Sequence, residues 1–115
     1  MAIYFSKDEL SCKCGCGFMV TDQFARWLDD LRDLVGLPLT LNCSARCPVH
    51  NSEVGGAKNS QHLLGLAADI QALSGALRYK VAEAAFKLGV KGISFYSWGV
   101  HVDLREGDPV AGWET

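Results

Sequence analysis

The stretch Gly99-Val100-His101-Val102-Asp103-Leu104-Arg105 alternates strictly. In an extended chain Val100, Val102 and Leu104 fall on one side and His101, Asp103 and Arg105 on the other. One side of such a strand is core and the other carries polar chemistry. Upstream, Ser60-Gln61-His62-Leu63-Leu64-Gly65-Leu66-Ala67-Ala68-Asp69-Ile70 ends in a shorter version of the same pattern. Ala67, Asp69 and Gln71 share one face, and Ala68 and Ile70 share the other. Asp69 is therefore a carboxylate set into an apolar run. Burying it without a partner is expensive, and a metal ion is one of the few partners that removes the cost.

His62, Asp69 and His101 together supply two imidazoles and a carboxylate. That donor set suits zinc and leaves a coordination position for water, so these three are the candidate metal ligands of a hydrolytic site. Taken singly, each is more often a surface or hydrogen-bonded core residue. The combination carries the reading.

Several ordered blocks surround these residues: Ser44-x-Arg46-x-x-x-His50-Asn51, then Val54-Gly55-Gly56-Ala57, then Ser60-x-His62-x-x-Gly65-x-Ala67-x-Asp69, and finally His101-Val102-Asp103. The set resembles the zinc D-alanyl-D-alanine carboxypeptidase family, which also contains bacteriophage cell-wall endopeptidases and D-Ala-D-Ala dipeptidases and shares its fold with the Hedgehog signalling domain. The resemblance runs over residues 5–105. It implies an α+β fold with a small antiparallel sheet packed with helices, zinc as cofactor and peptidoglycan stem peptides as substrate. In this family the arginine of the Ser-x-Arg block holds the substrate's carboxylate, which makes Arg46 the anchoring candidate; a planar guanidinium is shaped for bidentate grip on such a group. Ser60 and Gln61, leading into His62, are further substrate-binding candidates. His50 lies outside the ligand pattern and is expected to make structural hydrogen bonds. Many members carry a Glu or Asp three residues before the last histidine, where this chain has Trp98. Asp103 is the nearest replacement, either as the catalytic proton acceptor or as the partner that holds an imidazole in orientation.

The chain has 115 residues, 49% of them hydrophobic, and a net charge of −2, enough apolar material for the core of one domain spanning residues 1–115. No Lys/Arg cluster points to nucleic acid. No apolar run approaches the roughly 18 residues of a membrane-spanning helix. The N-terminus lacks the basic-then-apolar pattern of a signal peptide, so the expectation is a chain made in the cytoplasm that reaches the cell wall, in the phage setting, at lysis; a monomer is expected. Five cysteines leave one unpaired whatever the others do. Cys12, Cys14 and Cys16 form Cys-x-Cys-x-Cys, unlike the usual Cys-x-x-Cys knuckle, while Cys43 and Cys47 flank the arginine segment. Reduced thiols, disulfides and a structural metal are all compatible with that placement.

In order along the chain, Ser6 and Glu9 fit a capping box opening a short helix. Thr21 is a plausible N-cap for a longer helix with Phe24, Leu28, Leu31 and Val35 inward, and Asp29, Asp30, Arg32 and Asp33 largely solvated, ended by Gly36 and Pro38. Residues 39–43 have strand composition, and residues 48–54 read as a helical turn with Pro48 first. Ser74 caps a helix striped by Leu77, Val81, Ala84, Ala85 and Leu88 and closed by Gly89. Residues 92–97 and 99–105 read as a hairpin turning at Trp98-Gly99, which brings His101 beside Asp69. Trp98 is a candidate wall for a substrate cleft, and the tail from 106 to 115 has no placement. Two function classes follow: a zinc peptidase of cell-wall stems, cutting a terminal D-Ala or within the stem, and a zinc-bearing cell-wall-binding module without turnover.

Overall fold

The computed structural model describes residues 4–56 and 60–113, apart from the side chains of residues 112 and 113. Ala57, the last residue of the Val54–Ala57 block, Asn59 and the indole of Trp113 lie outside the described residues.

Helix α1 (Asp22–Val35) starts where Thr21 Oγ1 accepts the amide of Phe24 at 3.1 Å and stops where Gly36 turns left-handed at φ 77°. Phe24, Leu28 and Leu31 are fully buried along its inner face. Asp29 departs from the expected solvated side: it is 6% exposed and accepts the amide of Tyr4 at 3.1 Å. The reason is the N-terminal segment, which lies across α1, with the Tyr4 hydroxyl donating to Asp33 and the Arg32 guanidinium 4.8 Å above the Tyr4 ring. The capping box is present, with Ser6 N–H donating to Glu9 Oε1 at 3.0 Å and Glu9 N–H to Ser6 Oγ at 3.1 Å. It closes one turn and no helix. Ser11 already forms an isolated antiparallel bridge with Met19, because Gly15 and Gly17 at φ 82° and 92° fold the chain back between them.

Then come β1 (Leu41–Cys43), α2 (Pro48–Glu53), a 3-10 turn (Gln61–Leu64), β2 (Ala67–Gln71), α3 (Gly75–Lys87), β3 (Gly92–Tyr96), β4 (Gly99–Asp103) and β5 (Val110–Trp113). The five strands form one sheet in the order β1-β2-β4-β3-β5. All neighbours are antiparallel except β3 and β5, so the fold is α+β with a mostly antiparallel sheet, and the unplaced tail supplies its one parallel edge. The hairpin forms as expected but shorter: β4 stops at Asp103 because the amide of Arg105 turns to the Asp103 carboxylate at 3.1 Å.

One face of the sheet is core. Ile70, Val100 and Val102 are fully buried there together with Val81 of α3 and the inner face of α1, each such side chain contributing about 1.5–3 kcal/mol. Trp27 Nε1–H donates to the carbonyl of Leu88 at 2.9 Å, tying α1 to the end of α3. Ser74 Oγ caps α3 by accepting Leu77 N–H at 3.1 Å. The opposite face carries Asp69, His101 and Asp103.

Candidate metal centre

Strand pairing builds half of the site. Asp69 of β2 and His101 of β4 are direct cross-strand partners, and Asp103 is paired with Ala67 on one side and Gly92 on the other. Gly92 is required to be glycine, because a Cβ there would lie 2.3 Å from the Asp103 carboxylate oxygens. The space it leaves lets Asp103 lie flat over the sheet at 0% exposure.

Loops build the other half. His62 lies in the 3-10 turn, whose amide at His62 is capped by Ser60 Oγ at 3.2 Å. Gly65 closes the turn at φ 69°, where a Cβ would crowd the Met19 carbonyl and Val20 backbone at 3.0 and 3.1 Å; this explains the glycine three residues after His62. Asn51 and Gly56 explain another pair of motif positions: a Cβ on Gly56 would collide with the Asn51 side chain, and Gly56 N–H donates to the Asn51 carbonyl at 2.8 Å.

The imidazoles are oriented from behind. His62 Nδ1 faces the Ser44 carbonyl, which can only accept, so Nδ1 carries a proton and donates it there. His101 Nε2 pairs with Asp103 Oδ2 at 2.8 Å. The remaining ring nitrogens, His62 Nε2 and His101 Nδ1, both face Asp69 Oδ1, at 3.3 and 2.9 Å. In neutral imidazoles these atoms are lone pairs, and a carboxylate oxygen is also a lone-pair acceptor. Three acceptors turned on one point repel one another unless the imidazoles take extra protons or a cation sits among them. Two imidazoles and a carboxylate match zinc, so the residues present fit such an ion.

The ionisation of the site expresses the same demand. Burial pushes the His62 imidazolium down, but hydrogen bonds to Asp69 and Cys43 outweigh it and raise the pKa to about 9. His101 is also raised, against its burial, by Asp103 and Asp69. Burial works against ionisation of Asp69, yet the two imidazoles hold it well below the usual carboxylate range. Burial likewise opposes ionisation of Asp103, yet it is held low by His101 and by Arg105, whose Nε and Nη2 donate to it at 2.9 and 2.7 Å.

Arg46 stands beside this centre. Its backbone amide donates to the His62 carbonyl at 3.0 Å and its Nη2 to Ser60 Oγ at 3.2 Å, so Ser60 links the arginine to the histidine turn. Among the described residues, the buried Nε of Arg46 and the buried Oε1 of Gln61 have no hydrogen-bond partner. Gln61 directly precedes His62, and the Arg46 backbone is tied to the His62 carbonyl, so this open donor and acceptor belong to the segments that carry the histidine turn. His50 lies apart, 3.9 Å from Glu53 within α2. Trp98, at the hairpin turn, is half-buried and stacks on Tyr96 with centroids 4.8 Å apart.

Sequence reasoning had no role for Ser44, Arg105 or Cys43. Ser44 acts through its backbone carbonyl, which leaves no side-chain signature. Arg105 follows the period-2 alternation from Asp103, and that spacing was the available clue. Cys43 Sγ lies 3.8 Å from His62 Nδ1 and forms a compact donor group with His62 and Asp69.

Fold and site together define an α+β domain that presents a His-Asp-His donor set on one face of its sheet. The chain belongs to the Peptidase M15 family, whose family model matches residues 3–104, as the motif blocks implied. The fold is similar to the crystal structure of Serratia marcescens L-Ala D-Glu endopeptidase ChiX, with a TM-score of 0.60 at 16% identity over 91% of this chain and 90% of that one. A search of curated proteins finds no significant match. No helix among the described residues is long and apolar enough to cross a membrane.

Proposed function

We propose that the protein is a zinc-dependent peptidase that hydrolyses peptide bonds in the stem peptides of peptidoglycan, with His62, Asp69 and His101 as the metal ligands. The observation that carries the reading is the convergence of His62 Nε2 and His101 Nδ1 on Asp69 Oδ1. Family membership supports the reaction class, and the likeness in fold to an L-Ala D-Glu endopeptidase supports a cut within the stem over removal of a terminal D-Ala.

Zinc bound there supplies a Lewis acid and brings the pKa of a water down to about 7. The chain's own residues prepare the site for it. Ser44 and Asp103 fix the tautomers of His62 and His101, so that a lone pair of each is aimed inward. Asp103 is fully buried, and both its oxygens are filled by His101 and Arg105. That environment supports a positioning role over proton transfer, because a carboxylate so held well below its ordinary range is a poor base at neutral pH. Arg46 and Gln61 supply a donor and an acceptor for the substrate's carboxylate and amide.

One feature favours the alternative of a zinc-bearing wall-binding module without turnover: the aromatic Trp98 stands where many family members carry a carboxylate. One experiment separates the two. The zinc-loaded protein is incubated with purified peptidoglycan and short stem peptides, and products are identified by mass. New amino termini within the stem are expected, and none with His62→Ala. Intact substrate that is nevertheless bound would establish the module, and a His62→Ala variant as fast as the parent would remove His62 from the ligand set.

A further inference from the structure

The three N-terminal cysteines meet Cys47, the residue that follows Arg46. The sulfurs of Cys12, Cys14 and Cys47 lie 3.4, 3.8 and 3.6 Å from one another, and with Cys16 all four sulfurs fall within 4.8 Å. We propose that Cys12, Cys14, Cys16 and Cys47 form a second, structural zinc site of the tetrathiolate type.

Distances set the argument. A disulfide needs sulfurs about 2.05 Å apart, and no pair of the five cysteines is bonded. Zinc–sulfur bonds of about 2.3 Å at tetrahedral angles place sulfurs about 3.8 Å apart, and the three measured edges lie at or slightly inside that value. Two disulfides among the four would use two contacts and leave the gathering of all four without a purpose. A single ion uses all of them.

The backbone is arranged for sulfur charge. Cys47 N–H donates to Cys12 Sγ at 3.4 Å, and His50 N–H, at the first turn of α2, donates to Cys47 Sγ at 3.4 Å. A metal requires the thiolate, and these amide donors favour negative charge on the sulfurs they reach. Gly15, at φ 82°, turns the Cys-x-Cys-x-Cys run so that three alternate residues reach one centre, whereas an extended strand would space them about 6.6 Å apart along one face. On binding, each thiol proton is released to solvent and its sulfur lone pair forms the bond to the metal; no oxidation is involved.

The site also resolves the odd cysteine count: four belong to this cluster and Cys43 belongs beside His62. Its placement gives it a purpose. Cys47 directly follows Arg46, so the ion would clamp the N-terminal segment to the loop that presents the guanidinium. The inference stands independently of the peptidase reading, since it shares no ligand with the histidine site.

The test is metal content by elemental analysis of reductively purified full-length protein. Two zinc ions per chain are expected for the parent, one for Cys14→Ser, and one for the His62→Ala/His101→Ala pair. The cobalt-loaded parent and the histidine pair are expected to show an intense thiolate-to-cobalt charge-transfer band that Cys14→Ser lacks. Because a cysteine variant can fail to fold, the parent purified without reductant supplies a further measurement: after denaturation in chelator, all five thiols should titrate. One titratable thiol, meaning two disulfides, would overturn the site, as would a parent with one zinc and no charge-transfer band.

Discussion

Asp69, His101 and Asp103 sit on paired strands, whereas His62, Ser60, Gln61 and Arg46 sit on a 3-10 turn and loops that no strand partner holds. In the first group a regular hydrogen-bond register places each side chain: Asp69 faces His101 because their backbones are partners, and Asp103 follows two residues on, on the same face. In the second group position comes from caps and single contacts. Ser60 Oγ holds the turn, the Ser44 carbonyl holds the imidazole, and the His62 carbonyl holds the Arg46 backbone. A sheet gives a site rigidity by repetition, while a loop obtains it only by many separate ties. The strand half should therefore fail abruptly and the loop half by degrees.

The sharpest break is expected at Asp69, which both imidazoles face. Asp69→Asn should reduce zinc content at the histidine site and hydrolysis to background together, measured by elemental analysis and product formation. Retained metal and activity would sever the two halves of the comparison. Asp103→Ala should weaken zinc binding about 10- to 100-fold in competition with a chelator, the range for partners that orient metal ligands. If turnover collapses while affinity for the metal is unchanged, Asp103 is the proton acceptor instead. Gly92→Ala pushes a methyl into the Asp103 carboxylate. It should cost about 1–3 kcal/mol in denaturant unfolding and loosen the metal as well, although residue 92 touches no ligand.

Smaller effects are expected in the loop half. Arg46→Lys should raise KM for a stem peptide about tenfold, roughly 1.4 kcal/mol, with kcat and zinc content unchanged, since an ammonium offers a charge but no planar fork. Ser60→Ala should cost about 1 kcal/mol of stability through the lost cap, with a modest rise in KM because Arg46 loses its tether. Equal damage to kcat from Ser60→Ala and Asp103→Ala would erase the distinction between the halves.

Much of the strand half was legible because period-2 alternation is a local property: Val100 and Val102 had to bury one face of β4, and so His101 and Asp103 had to share the other. The caps at Thr21 and Ser74 were legible for the same reason, each satisfying amides within a few residues. Asp29 was misread as solvated because the segment that covers it comes from Tyr4, twenty-five residues earlier. The Ser6–Glu9 box was read correctly in its hydrogen bonds and wrongly in its length, since two glycines beyond it return the chain before a helix can propagate. The clamp of Arg105 on Asp103 and the carbonyl of Ser44 behind His62 are geometric facts without a residue pattern of their own.

The sequence by itself determined which face of β2 and β4 Asp69, His101 and Asp103 occupy, because side-chain alternation and apolar burial act between near neighbours. Tertiary structure decided what those residues meet: that Asp69 receives both imidazoles, that Asp103 is sealed beneath Gly92 and Arg105, and that Cys47 joins three cysteines thirty-odd residues before it. Those meetings depend on strand order and chain reversal, and both arise from packing across the whole molecule.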